Sequence, residues 1–166
     1  MATHDWSRFA VRINTKTLHE ELYKAWATRR GLEDWFLRTA EFKKPDGSLR
    51  ANNDLIQEGD SYRWWWYGWP DSVVEEGEVI SANGKDFFSF RFGKAGIVDV
   101  QLKKEEGESI VELIQHDIPT DDEAIKNWHI GCKTGWTFYL ANLKSIYEGG
   151  LDLRNRNEKI QEVISS

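Results

Sequence analysis

With 166 residues, 40% hydrophobic and 30% charged, the chain has the size and composition of one globular domain with a substantial core, and no apolar run approaches the ~18 residues of a membrane span. The formal charge of −6, with cations scattered rather than clustered, argues against binding to a nucleic-acid phosphate backbone. A single cysteine, Cys132, rules out an intramolecular disulfide and a thiolate-rich zinc site, and Met1-Ala2-Thr3-His4-Asp5 lacks the features of a secretory signal, so a soluble cytoplasmic protein is expected.

In chain order, Phe9, Val11 and Ile13 share one face opposite Arg8 and Arg12, which reads as a half-buried strand. Thr17 and Glu20 have the spacing of a capping box ahead of Leu18, Leu22, Tyr23 and Trp26, which recur at helical intervals. Gly31 interrupts that helix, and Leu32 to Phe36 predicts a short second helical turn that tucks Trp35 and Phe36 under a sheet. Arg38 to Lys43 returns as a strand ending at the type I turn signal Pro45-Asp46-Gly47, and Ser48 to Asp60 reads as a strand edge plus loop. From Tyr62 to Gln115 the pattern is strand throughout, cut by turn signals at residues 68–71, 82–85, 93–96 and 105–108, as in a meander of hairpins. Phe88, Phe90 and Phe92 fall on one face, as do Val98, Val100 and Leu102 on the next strand.

Asp121 offers an N-cap to a long final helix. Stepping 100° per residue places Ile125, Trp128, Cys132, Gly135, Trp136, Tyr139, Leu140, Leu143, Ile146 and Tyr147 on one stripe. Gly149-Gly150 stops the helix; residues 1–150 are read as one domain and 151–166 as a polar, frayed tail. The order strand, two helices, six strands, long helix predicts an α+β domain: a curved antiparallel sheet of six or seven strands grips the C-terminal helix around an apolar cavity.

Nine tryptophans is the unusual number, and such an excess serves a large core, a ligand cavity or an interface. Between Tyr62 and Trp69 alternation puts Tyr62, Trp64 and Trp66 on one face and Trp65, Tyr67 and Trp69 on the other. One set can fill the core or line a cavity; aromatics on both faces also suit a homodimer contact. Gly131 and Gly135, one turn apart in the helix, imply either close packing or space left for a ligand. The candidate cavity walls are Trp64, Trp66, Phe88, Phe90, Trp128, Cys132, Trp136 and Tyr139, and the expected partner is a hydrophobic or aromatic small molecule.

His129 and Cys132 lie three apart, with His116 at the end of the last strand, but a metal needs further ligands at matched spacing; no metal or cofactor is expected. Arg91, Asp99 and Glu112 are polar residues inside apolar strands, where alternation turns them outward; pointing inward, a desolvated Asp99 or Glu112 would serve as a general acid or base. No nucleophile motif, phosphate loop or dinucleotide fingerprint is present, so an enzyme is not indicated.

The string from Gly135 to Glu148, GWTFYLANLKSIYE, resembles the C-terminal signature of the family of homologues of the activator of the heat-shock protein 90 ATPase. Leu32-Glu33-Asp34-Trp35-Phe36 resembles its short helix, and Gly77-Glu78-Val79-Ile80 its turn into a central strand. The resemblance implies the helix-grip fold of the START-like (Bet v 1-like, SRPBCC) superfamily, whose members hold lipids and other apolar small molecules between sheet and helix. It also implies two rival readings: a co-chaperone contact with heat-shock protein 90, for which the chain has no length left for a separate chaperone-binding domain, and a cyclase, dehydratase or hydrolase. The last would need Glu112, Asp99, Arg91 or His116 to project inward.

Overall fold

The computed structural model describes residues 2–164. Strand β1 (Phe9–Thr15) leads into helices α1 (His19–Ala27) and α2 (Arg29–Trp35), and six strands follow: β2 (Thr39–Lys43), β3 (Ser61–Trp65), β4 (Glu75–Ala82), β5 (Phe87–Arg91), β6 (Ile97–Glu105) and β7 (Glu108–His116). The final helix has three parts, a short turn α3 (Asp122–Ala124), a widened segment Ile125–Ile130 and α4 (Gly131–Tyr147). The strands form one antiparallel sheet in the order β1-β7-β6-β5-β4-β3-β2, so the meander is closed by β1 pairing with β7. This is the α+β helix-grip architecture that the order of elements predicts, with a curved sheet locally bent by a register shift between Val79 and Ser81.

Alternation sets the two faces of the sheet. Val98 and Val100 of β6, opposite Phe90 and Phe88 of β5 and Gln115 and Leu113 of β7, turn toward α4, while Asp99, Gln101 and Lys103 turn away. Gly77 lies inside β4 rather than in the turn expected there. Its register partner is Tyr62, whose hydroxyl crosses it to donate to the Arg91 carbonyl, and a Cβ at Gly77 would sit 2.4 Å from that hydroxyl.

Local signals in the helices resolve differently from their sequence reading. Thr17 does not cap α1: its hydroxyl pairs with Thr15 Oγ1 at 2.8 Å, Glu20 bonds Lys24, and the helix starts at His19 without a side-chain cap. The break between α1 and α2 falls at Thr28, whose hydroxyl accepts from Gly31 N at 2.9 Å as the N-cap of α2. Gly31 sits within α2, where a Cβ would meet the Lys24 carbonyl of α1 at 2.1 Å. Asp121 does cap α3, accepting from Ala124 N at 3.0 Å. Between α3 and α4 the backbone widens to a π-type turn, Gly131 N–H bonding Lys126 O, and this offsets the earlier residues from the 100° stripe. His129, expected at the stripe's margin, is consequently 3% exposed.

The loop between β2 and β3 is pinned by Asp60, fully buried, which accepts from Arg50 Nε at 2.6 Å and Nη2 at 3.0 Å. Between sheet and helices the space is filled largely by aromatic rings. Trp26 meets Trp35 edge-on at 4.6 Å, Trp35 stacks on Phe36 at 5.3 Å, and Trp64 stacks on Tyr62 at 4.0 Å. Asn142 of α4 donates to the Trp35 carbonyl at 2.8 Å, fastening the helix pair to α4.

The start of the C-terminal tail is docked rather than frayed. The buried Arg154 guanidinium donates to the carbonyls of Glu33, Asp34 and Leu37, capping the C-terminal end of α2, and to the Asp152 carboxylate. Arg154→Ala would leave the three α2 carbonyls without their donor, at a cost of about 2–4 kcal/mol, while Asp152 keeps Arg156 and Asn142; Arg156→Ala, on the exposed side of Asp152, should cost less than about 0.5 kcal/mol. Urea unfolding of the two variants side by side checks this, and equal midpoints would refute the cap.

Candidate functional site

At one end of the sheet–helix layer a cavity of about 390 Å³ remains open, within the range of small-molecule sites. Its helix wall is Gly131, Cys132, Gly135, Trp136 and Tyr139 of α4, with Asn127 from the widened segment. The opposite side is made by residues that follow secondary-structure elements: Phe36 after α2, Trp66 and Trp69 after β3, and Phe92 after β5. Ile164 of the tail and Trp69, 52% exposed, stand at the mouth.

The position of Trp136 is fixed by a buried polar chain. Its Nε1–H donates to Gln115 Oε1 at 2.9 Å, and Gln115 Nε2 donates to the Ala95 carbonyl at 2.8 Å, tying α4 to β7 and to the loop before β6. Trp136 also packs against Phe36 at 4.9 Å and Phe92 at 5.9 Å. Gly135 is not a close-packing glycine: a Cβ there would have no neighbour within 4 Å, and at Gly131 the nearest atom would be the Lys126 carbonyl at 3.5 Å. Both glycines therefore leave room in the cavity. Burial pushes the Cys132 thiol and the Tyr139 hydroxyl up, the latter to about 12, so both stay protonated at neutral pH.

Of the wall residues expected from the sequence, Trp66, Cys132, Trp136 and Tyr139 meet at this cavity. Trp64, Phe88 and Phe90 do not line it; they are fully buried in the packed layer beneath, and Trp128 packs against the core from the widened segment. Phe36 and Phe92 take their places, both visible in the sequence as inward-facing aromatics but separated from the α4 signature by long stretches of chain. The orphan indole N–H of Trp64 agrees with a dry, ring-packed layer there.

One charged group near the cavity carried no sequence signal. Glu75 pairs in register with Trp64 and so shares its inward face. Its carboxylate lies against Gly93, the residue after the wall residue Phe92: a Cβ at Gly93, whose φ is +51°, would be 2.2 Å from Glu75 Oε1. On the other side it is within electrostatic reach of Cys132. Among the described residues Glu75 has neither an ion pair nor a hydrogen-bond partner, and burial, with Glu76 adding repulsion, raises its pKa.

The four polar residues considered for catalysis all face the outside of the sheet. Glu112 pairs with Arg12 and, at 2.8 Å, with Lys103; Arg91 pairs with Glu78 at 3.3 Å. Asp99 accepts from Ser89 at 2.6 Å and bonds His116 Nε2 at 2.9 Å. The acid stands between serine and histidine, so the imidazole does not reach the hydroxyl and the order of a serine–histidine–acid triad is not formed. His129 is buried but does not line the cavity: its Nδ1–H donates to the Trp6 carbonyl at 2.9 Å, and its Nε2 meets His4 Nε2 at 3.2 Å. No group of three or more metal-ligating side chains gathers among the described residues, and no helix there is long and apolar enough to cross a membrane.

Comparison with known proteins adds a family and a fold. The family described as activator of Hsp90 ATPase homolog 1-like protein matches residues 16–148. Among solved structures, protein SSP2350 from Staphylococcus saprophyticus is similar with a TM-score of 0.67 at 14% identity, over 89% of this chain and 96% of that one. The Aha1 dimer from Colwellia psychrerythraea gives 0.64 at 17% identity, over 86% and 97%. CalU16 from Micromonospora echinospora gives 0.63 at 15%, over 88% and 77%. A comparison with curated proteins gives no match.

An acid whose pKa is raised by folding binds its proton more tightly in the native state, so it costs stability once the pH passes above its unfolded pKa of about 4.3. Glu75→Gln should therefore raise the thermal midpoint at pH 7–8, with the gain disappearing below about pH 4. Thermal scans across that range test the sign, and a lower midpoint at pH 7 would show that the carboxylate has a stabilising partner.

Proposed function

The chain belongs to the family of activator of Hsp90 ATPase homolog 1-like proteins, and from that premise we propose that it is a cytoplasmic binding protein for a hydrophobic or aromatic small molecule. The ligand would occupy the cavity between the loops that follow α2, β3 and β5 and the first two turns of α4. The observation that carries this reading is the pair Gly131 and Gly135. Each glycine in a helix costs roughly 1 kcal/mol relative to alanine, and here neither is required by packing against a neighbour. What they preserve is volume against an aromatic wall. Binding there would draw on burial of apolar surface, at about 25 cal/mol per Å² before the costs of association.

The family description and the Colwellia structure each support a rival. Contact with the chaperone rests on the family description alone. Pairing of two copies rests on the dimeric state of the Colwellia protein and fits the half-exposed Trp69 beside the mouth; light scattering across a range of concentrations separates monomer from dimer. The enzyme reading loses its stated candidates, since Glu112, Asp99, Arg91 and His116 lie on the face away from the cavity.

Filling the cavity from the helix provides a test that does not confuse loss of binding with loss of fold. Gly135→Ala, whose Cβ meets no neighbour, should stabilise the protein by up to roughly 1 kcal/mol through helix propensity, and Gly135→Leu, which fills the cavity, should keep a native-like unfolding transition. Gly135→Leu should also abolish the tryptophan quenching that wild-type protein gives with small aromatic compounds. Absence of quenching in wild-type protein across a broad aromatic and lipid panel would refute the binding reading.

A further inference from the structure

The rings at the cavity close a circuit. Phe36 meets Trp66 at 5.7 Å, Trp66 meets Phe92 at 6.4 Å, Phe92 meets Trp136 at 5.9 Å, and Trp136 returns to Phe36 at 4.9 Å. All four line the same cavity, and none of the residues lining it carries a positive charge. No lining residue is charged, and Glu75 stands behind the walls: its carboxylate sits against Gly93, beside the Phe92 wall, and within electrostatic reach of Cys132, while Arg154 and Asp152 act together on the Tyr139 wall. The guanidinium of Arg154 is already engaged by Asp152 and the carbonyls of α2.

Aromatic faces present negative potential, and a ring of them with a nearby carboxylate attracts a cation while offering a neutral apolar molecule burial alone. A half-buried acid without a partner is costly in the empty protein, and a cationic ligand would offset that cost. We propose that the cavity selects organic cations, aromatic or quaternary amines, with Phe36, Trp66, Phe92 and Trp136 caging the ammonium group and Glu75 supplying its counter-charge. This rests on the ligand-binding reading and names the class of ligand. Gly93 has a role in it, because any side chain there would occupy the place of the Glu75 carboxylate.

The experiment compares benzyltrimethylammonium with its neutral carbon isostere, neopentylbenzene, by calorimetry and tryptophan fluorescence. Three proteins are used: wild type, Glu75→Gln and Trp66→Leu. Wild type should bind the ammonium compound about tenfold or more tightly than the isostere. Glu75→Gln should keep its affinity for the neutral compound and show a several-fold smaller preference for the cation, and Trp66→Leu should lose more affinity for the cation than for the isostere. Binding of both probes by wild type with equal affinity, or an undiminished preference in Glu75→Gln, overturns the cation assignment and leaves the ligand reading in place. Failure of wild type to bind either probe overturns the cation assignment, and the ligand reading then stands or falls on the broader aromatic and lipid panel. A native-like unfolding transition of each variant establishes that the comparison is made on folded protein.

Discussion

The indole N–H of Trp136 and the amide of Gln115 form the contact on which the arrangement of layers depends. A helix lying across a sheet by apolar contact alone could slide or rotate by a turn at modest cost. A buried donor that must find its acceptor removes that freedom, because displacement would leave both groups desolvated and unpaired. Gln115 in turn holds the Ala95 carbonyl, so one side chain fixes the helix, strand β7 and the loop that carries Phe92 relative to one another. The cavity lies beside this junction, and its shape is inherited from it.

The strands were legible because a period of two survives every local irregularity: Phe88/Phe90 and Val98/Val100 face inward as their alternation implies. What alternation reports is which face a residue occupies, and it carries no information on depth. Trp64, Phe88 and Phe90 share the inward face with Trp66 and Phe92, but they are fully buried among other rings, while the cavity is lined by residues just past the ends of the strands. That difference is set by where α4 crosses the sheet, a tertiary fact. The helix stripe was similarly readable from Gly131 onward and misphased before it, since a π-type turn breaks the 100° step without leaving a composition signal.

Two charged residues were illegible for a related reason. Arg154 and Glu75 look in the sequence like ordinary surface charges, the first in a polar tail and the second beside Glu76 in a strand. Arg154 is drawn in because three carbonyls at the end of α2 and the Asp152 carboxylate surround it with acceptors. Glu75 is turned in by register, opposite Trp64, and keeps its place only because Gly93 has no side chain. The contrast is informative. One charge is buried with every acceptor it needs and acts as structure; the other is half-buried with no donor, in a protein that otherwise pairs its inward charged groups and leaves only the indole N–H groups of Trp26 and Trp64 unpaired among its described buried side-chain polar atoms. A fold tends to violate its own rules where it works.

The anchorage of Arg154 on helix α2, together with the pairing of β1 with β7, bears on how the protein comes into being. Both join the opening quarter of the chain to segments synthesised later, so a nascent polypeptide cannot pair β1 until β7, ending at His116, is free, nor cap α2 until Arg154 is free. During translation α1, α2 and their tryptophans must wait, uncapped and with apolar surface exposed, for the strand and the arginine that will cover them. The interval between the synthesis of α2 and the arrival of Arg154 is the one in which that surface stands open.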